Sequence, residues 1–306
     1  MELAQVSHIT DNILTESEAR MTLTGSRLLV RHFTNITNKQ SVVHSHPYHE
    51  IVLPLDGSIV RYAVNGSVYM VGIGEVAFFP AQTYHAGKYD IDAAFSERLV
   101  IQIDDTLWQA ARRHAKLLDT DWMHSVTVLD AGACSQVDLR GLFLRMASAS
   151  ELPARVRDVL QESETTELEM LFTLITGSGR TAAASSTSAL VARAAACLQS
   201  RYQDPSLTTS TLAQELYVSR EHLSRAFKEC TTESIHSYLT NLRMQHCRRA
   251  LAGGASVLDA CTESGFPDYS SFLKTFRRLY GVTPAEFRST ARAAADTIGQ
   301  TRAAEG

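Results

Sequence analysis

Apolar positions recur along the chain with two different periods. From Arg27 they come in short runs, RLLVRHF, EIVLPL, SIVRYAV, SVYMV, EVAFFP and RLVIQI, separated by turn residues such as Asp56-Gly57 and Asn65-Gly66. Asn-Gly between apolar runs is a strong hairpin signal. Many short strands with this punctuation predict a small β-barrel or jelly roll. Further on the spacing becomes helical. Leu107, Ala110, Ala111, His114 and Leu118 make one stripe, Leu139, Leu142, Phe143 and Met146 a second, and Leu168, Leu171, Phe172 and Ile175 a third. A face that covers the barrel and a face that pairs with a second subunit look the same in such a pattern, so both readings stand. Residues 176–188 then lack any large apolar side chain and are rich in Gly, Ser and Ala, the composition of a flexible linker.

Beyond the linker the chain reads as helices with their punctuation. Ala189 to Tyr202 forms one, stopped by Asp204-Pro205. Thr208 is placed to cap the next, which runs to Leu216, and Tyr217-Val218 turns the chain. Ser219 caps Arg220 to Cys230, with Leu223 and Phe227 inward. Ser234 to Leu251 is a long helix, ~27 Å at ~1.5 Å per residue. Between Asp259 and Arg288 the same plan returns. Gly265 stops a helix, Asp268 caps the next, and Phe272, Phe276 and Leu279 make its apolar face. Thr283-Pro284-Ala285-Glu286 is a capping box. Helix, short turn, exposed basic helix is the plan of a DNA-binding helix-turn-helix, and it occurs twice.

The spacing GF-x-D-x-S-x-F-x-x-x-F-R-x-x-x-G-x-TP-x-x-F-R, from Gly265 to Arg288, resembles the signature of the AraC/XylS family of bacterial transcription regulators. The resemblance covers roughly the last third of the chain. It implies that Glu221, Ser224 and Arg225 of the first unit, and Tyr269, Ser270, Leu273 and Lys274 of the second, face bases. Ser219, Arg220, Arg277 and Arg278 suit phosphates, which position without specifying. It also implies dimerisation through the middle helices, a small-molecule effector, promoter DNA and RNA polymerase as partners, and activation as the usual outcome. Thr232 stands where that family has Gly, and a β-branched residue is poor in a left-handed conformation. A different or weaker end to the first unit is therefore expected.

Charge sharpens this division. The whole chain of 306 residues carries −4. Residues 1–185 hold 15 Lys+Arg and 22 Asp+Glu, a net of −7, and residues 186–306 hold 14 and 11, a net of +3. The basic share lies with the helix-turn-helix pattern, and its modest size points to specific contacts. Five Cys with no CxxC pair fit reduced thiols in the cytosol. No apolar run reaches the ~20 residues that cross a bilayer, and the N-terminus lacks a signal-peptide pattern. A cytoplasmic, nucleoid-associated protein is expected.

Candidate chemistry lies in the strand region. His44, His46 and Glu50, with Gly57 after them, resemble the first cupin motif, and Gly74 to Pro80 with His85 resemble the second. Imidazoles and a carboxylate converging from neighbouring strands make a site for a divalent transition metal, here His44, His46, Glu50 and His85. Gln82 replaces a Gly of the second motif and no Asn follows His85 at the usual spacing, which argues against enzymatic turnover. The bland alternative is an organic-effector pocket lined by His44, His46, Glu50, Arg61, Tyr84 and His85. The expected architecture is α+β: a cupin-like effector-binding barrel over 1–105, a helical dimerisation segment over 106–175, the linker 176–188, a two-unit DNA-binding domain over 189–290 and a tail over 291–306. The rival reading is a metal-sensing or metal-binding cupin fused to the same DNA-binding domain.

Overall fold

The computed structural model describes residues 7–10, 27–35, 39–41, 43–57, 59–89, 96–113, 121–149, 152–184 and 186–292. The predicted helical positions His114 and Leu118, most of the N-terminal arm and nearly all of the tail lie outside the described residues. Two compact units result, one built mainly on residues 45–186, the other on residues 187–292 together with 43–44.

The first unit carries strands β1 (Ser7–Thr10), β2 (Leu28–Asn35), β3 (Lys39–Gln40), β4 (Tyr48–Asp56), β5 (Val60–Val64), β6 (Ser67–Val71), β7 (Val76–Phe79), β8 (His85–Tyr89), β9 (Ser96–Asp104), β10 (Thr127–Leu129), β11 (Thr181–Ala182) and β12 (Ser186–Thr187). They form two sheets, ordered β1-β2-β9-β4-β7-β10-β11 and β12-β6-β5-β8-β3. Asn65 and Gly66 take positive φ (47° and 82°) and close the β5–β6 hairpin, as Asn-Gly in a tight turn should. Residues 176–188 differ from the expected free linker. The preceding helix runs to Gly177, and two short strands, β11 and β12, follow inside the stretch.

Register sets which side chains share a face. Across β2, β9, β4 and β7 one row reads Leu29–Gln102–Glu50–Phe79, the next Arg31–Val100–Val52–Ala77, and the third Phe33–Arg98–Pro54. These rows face the second sheet: Phe79 lies 4.8 Å from Tyr62 of β5 and 4.7 Å from His85 of β8, ring centre to ring centre. The other face of the large sheet, with Leu28, Val30, Ile51, Leu53, Phe78, Leu99 and Ile101, packs on helices. Those helices are α1 (Asp105–Arg112), α2 (Ala131–Cys134), α3 (Leu139–Ser148) and α4 (Ala154–Gly177).

The described members of all three predicted helical stripes turn to this core. Leu107, Ala110 and Ala111 of α1, Leu139, Leu142, Phe143 and Met146 of α3, and Leu168, Phe172 and Ile175 of α4 are buried. The exposed apolar residues of α4 are others: Val156, Val159, Leu160, Met170 and Leu174. Its buried face also holds Gln161, Glu164, Thr165 and Glu169. Burial pushes the Glu169 carboxyl up to about 8, against the pull of Arg112.

The second unit is all helical: α5 (Ala189–Arg201), α6 (Thr209–Glu215), α7 (Arg220–Thr231), α8 (Ile235–Ala252), α9 (Val257–Glu263) and α10 (Tyr269–Tyr280), with a further helical stretch over 284–292. Met244, Cys247, Leu251, Ala260, Phe272, Phe276, Tyr280 and Phe287 form one continuous core under the second half.

Candidate nucleic-acid interface and interior pocket

The first helix-turn-helix is α6 and α7. Thr208 and Thr211 form a capping box at the start of α6. Tyr217 turns the chain at φ 58° with its side chain 92% exposed. Ser219 Oγ then accepts from the His222 backbone N–H at 3.1 Å and starts α7. Leu223 and Phe227, four apart, are fully buried and fix which face α7 turns outward. That face presents Arg220, Glu221 and Arg225, with Ser219 beside them and Ser224 half-buried at the edge. Thr232 takes the left-handed conformation at φ 67° and its N–H bonds to the Lys228 carbonyl. The helix therefore ends as a Gly would end it, where a different end was expected.

The second unit, α9 and α10, repeats the geometry with other residues. Gly265 sits at φ +77°, and a Cβ there would meet the Gln203 carbonyl oxygen at 2.4 Å. Asp268 Oδ2 accepts from the Ser271 backbone N–H at 2.6 Å and caps α10. The Ser271 side chain and backbone hold that carboxyl below its usual range. Phe272, Phe276 and Tyr280 are buried. Tyr269, Ser270, Lys274, Arg277 and Arg278 are exposed, and Leu273 is half-buried against the core. Every residue that sequence reasoning assigned to DNA thus has at least part of its side chain in solvent. His222 and Ser271 share this exposure and were not foreseen; each lies within the first turn of its helix, where base edges are usually reached. The α8 helix between the two units has 18 residues, ~27 Å at ~1.5 Å each.

The interior of the first unit holds a second polar cluster. His46 Nε2 lies 3.3 Å and His85 Nε2 3.5 Å from opposite oxygens of Glu50. His46 Nδ1 bonds to the Tyr48 carbonyl at 2.8 Å and His85 Nδ1 to the Thr83 carbonyl at 3.0 Å. A carbonyl only accepts, so each Nδ1 carries the hydrogen. Each Nε2 is thereby left to meet the carboxylate as a donor or, in the neutral ring, to offer a lone pair. Burial alone would raise the Glu50 carboxyl. The bonds from the two imidazoles outweigh it and hold the carboxyl well below the usual range. Gln102 Nε2 donates to the same carboxylate at 3.2 Å, and the Tyr48 ring stacks on His46 at 4.0 Å.

Arg61 departs from the expected pocket. It pairs with Met70 and Lys88, while the next residue, Tyr62, is the one that faces Phe79 and His85. Neighbours on a strand point to opposite faces, so Arg61 belongs to the outside. Tyr84 is half-buried in the loop before β8, and His44, half-buried, offers a ring nitrogen within 4.8 Å of those of His46 and His85. Gln102 and Tyr62 were not foreseen in the pocket. The signal for Gln102 was present, as the lone uncharged polar residue inside the run RLVIQI.

Two helix-turn-helix units with exposed, partly basic second helices define a nucleic-acid-reading domain. Residues 212–290 match the family model described as a helix-turn-helix domain. The Msm operon regulatory protein of Streptococcus mutans is 31% identical over 105 residues, 34% of this chain and 37% of that protein. The HTH-type transcriptional regulator ArgR of Pseudomonas aeruginosa is 31% identical over 96 residues, 31% of this chain and 29% of that protein. The C-terminal domain of AraT, a response regulator from Geobacillus stearothermophilus, is 28% identical with a TM-score of 0.33, covering 34% of this chain and 86% of that domain. The chain thus spans about a third of the length of the curated relatives it matches. What the two regulators share with this chain is confined to its last third, where the helix-turn-helix domain lies.

Proposed function

We propose that the chain is a sequence-specific DNA-binding transcription regulator of the AraC type, switched by a small molecule bound in a cupin-like first unit. The observation that carries this reading is the duplicated helix-turn-helix. Both second helices are capped at the first turn, bury their apolar pair and leave Arg225 and Lys274 in solvent. An arginine fork matches guanine O6 and N7, and a lysine can reach the same edge. The buried cluster of His46, Glu50 and His85 supports an effector site, because convergent polar groups between two sheets orient a ligand. Binding shifts an equilibrium between domain arrangements only if the effector prefers one of them. Turnover is not part of this reading. Activation through RNA polymerase follows from the family resemblance. The exposed apolar stripe of α4 favours a homodimer. A cytoplasmic, nucleoid-associated location follows from the DNA-binding reading, and among the described residues no helix is long and apolar enough to cross a membrane. Selection of bound sequences from random DNA tests the reading. An enriched motif that binds tightly at fixed salt supports it, and uniform binding of all sequences contradicts it.

A metal-sensing first unit is the second reading, and one observation favours it. Both Nδ1 atoms are fixed by carbonyls, so His46 and His85 can turn Nε2 lone pairs toward the space beside Glu50. Carbonyl-fixed imidazoles with a carboxylate form a donor set that fits a divalent transition metal. His44, His46 and His85, with Glu50 beside them, would hold it, and the ion would supply a Lewis-acidic anchor for an effector. Near-stoichiometric metal in the purified full chain, lost in His46→Ala, supports this reading. Absence of metal from both proteins leaves an organic effector.

A further inference from the structure

The first unit holds a cavity that shares no lining residue with the cluster of His46, Glu50 and His85. It measures about 470 Å³, a size that suits a small organic molecule. It opens between the C-terminal turn of α4, a single 3-10 turn over Asp121–His124, and strands β10 and β11. Thr127 lines it from β10, and Thr173 and Thr176, three apart on one face, line it from α4. Ser125 and Thr181 are exposed at its rim.

A hydroxyl has one hydrogen to give and can accept on its lone pairs. The three inner hydrogens are spent on backbone carbonyls. Thr127 Oγ1 donates to Trp122 at 3.0 Å, Thr173 Oγ1 to Glu169 at 2.8 Å and Thr176 Oγ1 to Phe172 at 2.9 Å. The Trp122 indole N–H is spent as well, on Thr173 Oγ1 at 3.1 Å. These inner side chains therefore have lone pairs to offer and no hydrogen. An incoming group must bring the donors.

Charge points the same way. The 24 residues of α4 end at Gly177, in the cavity wall, with no basic residue in the last turn. A helix C-terminus carries roughly half a negative charge and favours a cation there. Among the described residues no charged side chain lines the cavity, and Arg180, next to Thr181, pairs with Asp130 at 3.8 Å. Residues 1–185 carry a net of −7, so the wider field also attracts positive charge. An anion would meet lone pairs and the wrong end of a helix.

We infer that this cavity takes the ammonium group of a small primary amine, with the hydroxyl oxygens of Thr127, Thr173 and Thr176 accepting its three hydrogens and Val126, Val128 and Ala182 packing its organic body. An ammonium has three donors and accepts nothing, which matches three acceptors in one wall. Its hydrogen bonds are charge-assisted, hence stronger than those of an alcohol. The bound amine would fasten the end of α4 to β10. The site is separate from the effector site between the sheets and does not depend on it.

The test is calorimetric titration of the full chain with primary amines from butylamine to tryptamine, each beside its alcohol and its trimethylammonium analogue. At least one amine should bind in a saturable way. Its alcohol, which lacks the charge, and its trimethylammonium analogue, which lacks the N–H groups, should each bind roughly tenfold more weakly. Thr127→Val and Thr176→Val should each weaken the amine roughly fivefold or more. Should either variant fail to fold, Thr181→Trp at the exposed rim blocks the cavity and should abolish binding. No binding by any amine, or equal binding by the alcohol or the trimethylammonium analogue, overturns the ammonium assignment. An amine that is lost in His46→Ala and kept in Thr176→Val and Thr181→Trp sits between the sheets. That result overturns this site and leaves the effector reading standing.

Discussion

The two helix-turn-helix units reach the same backbone by different residues. Each has a second helix of 12 residues, α7 and α10, with a buried apolar pair four residues apart. Each passes through two left-handed positions, one in the turn and one at the end of the second helix. In the second unit both are glycine, Gly265 at φ 77° and Gly281 at φ 71°. In the first they are Tyr217 at φ 58° and Thr232 at φ 67°. A side chain in this conformation costs roughly 1–2 kcal/mol, and a β-branched one sits there least easily. The first unit therefore carries backbone strain that the second does not. The packing of Leu223, Phe227 and Tyr238 holds it in place. The lesson is that the tertiary core dictates the turn, and the turn residue adapts or strains.

The largest expected effect breaks the second unit. Gly265→Ala places a Cβ against the Gln203 backbone, so carbonyl and chain must shift. Together with the unfavourable φ this should cost roughly 2–4 kcal/mol, read from urea unfolding. Next come the reading heads. Arg225→Ala and Lys274→Ala should each weaken binding to a selected site by roughly 1–3 kcal/mol and relax base preference there, measured by titration at fixed salt. An effect from one unit alone would mean that the two do not read DNA equally.

Smaller effects sharpen the strain argument. Thr232→Gly should stabilise the chain by about 1 kcal/mol by relieving the left-handed threonine. If it destabilises, Thr232 makes contacts that outweigh its strain. The caps differ too, as Ser219 is neutral and Asp268 is charged. The Asp268 carboxyl is held below the 3.8 of an ordinary Asp, so its contribution is present above that pH. The contribution is lost as pH falls through the lowered value. Acidification through that range should speed amide hydrogen exchange in the first turn of α10 before that of α7.

Much of the second unit was legible in sequence because its signals are local. Caps such as Thr208, Ser219 and Asp268 act within three residues, and Phe272 with Phe276 sets a face by spacing alone. Of the different or weaker end expected for α7, the geometry was misjudged for the same reason. A local rule disfavours threonine at 232, yet the helix ends there in the left-handed conformation with the Thr232 N–H on the Lys228 carbonyl. In the first unit, His46, Glu50 and His85 were picked by motif, and strand alternation alone could not say that Arg61 faces away. The three helical stripes were read without choosing a partner, and packing on the sheet decides for the core. Thr127, Thr173 and Thr176 gave no motif. Only the packing of α4 beside β10 brings them to one cavity.

The most direct test of the central claim is a hydroxyl-radical footprint of the full chain on a sequence selected from random DNA. Two recognition helices predict two protected patches on one side of the duplex, about one helical turn or ~34 Å apart. Arg225→Ala should weaken one patch and Lys274→Ala the other. A single patch weakened by only one of the two variants would contradict the account.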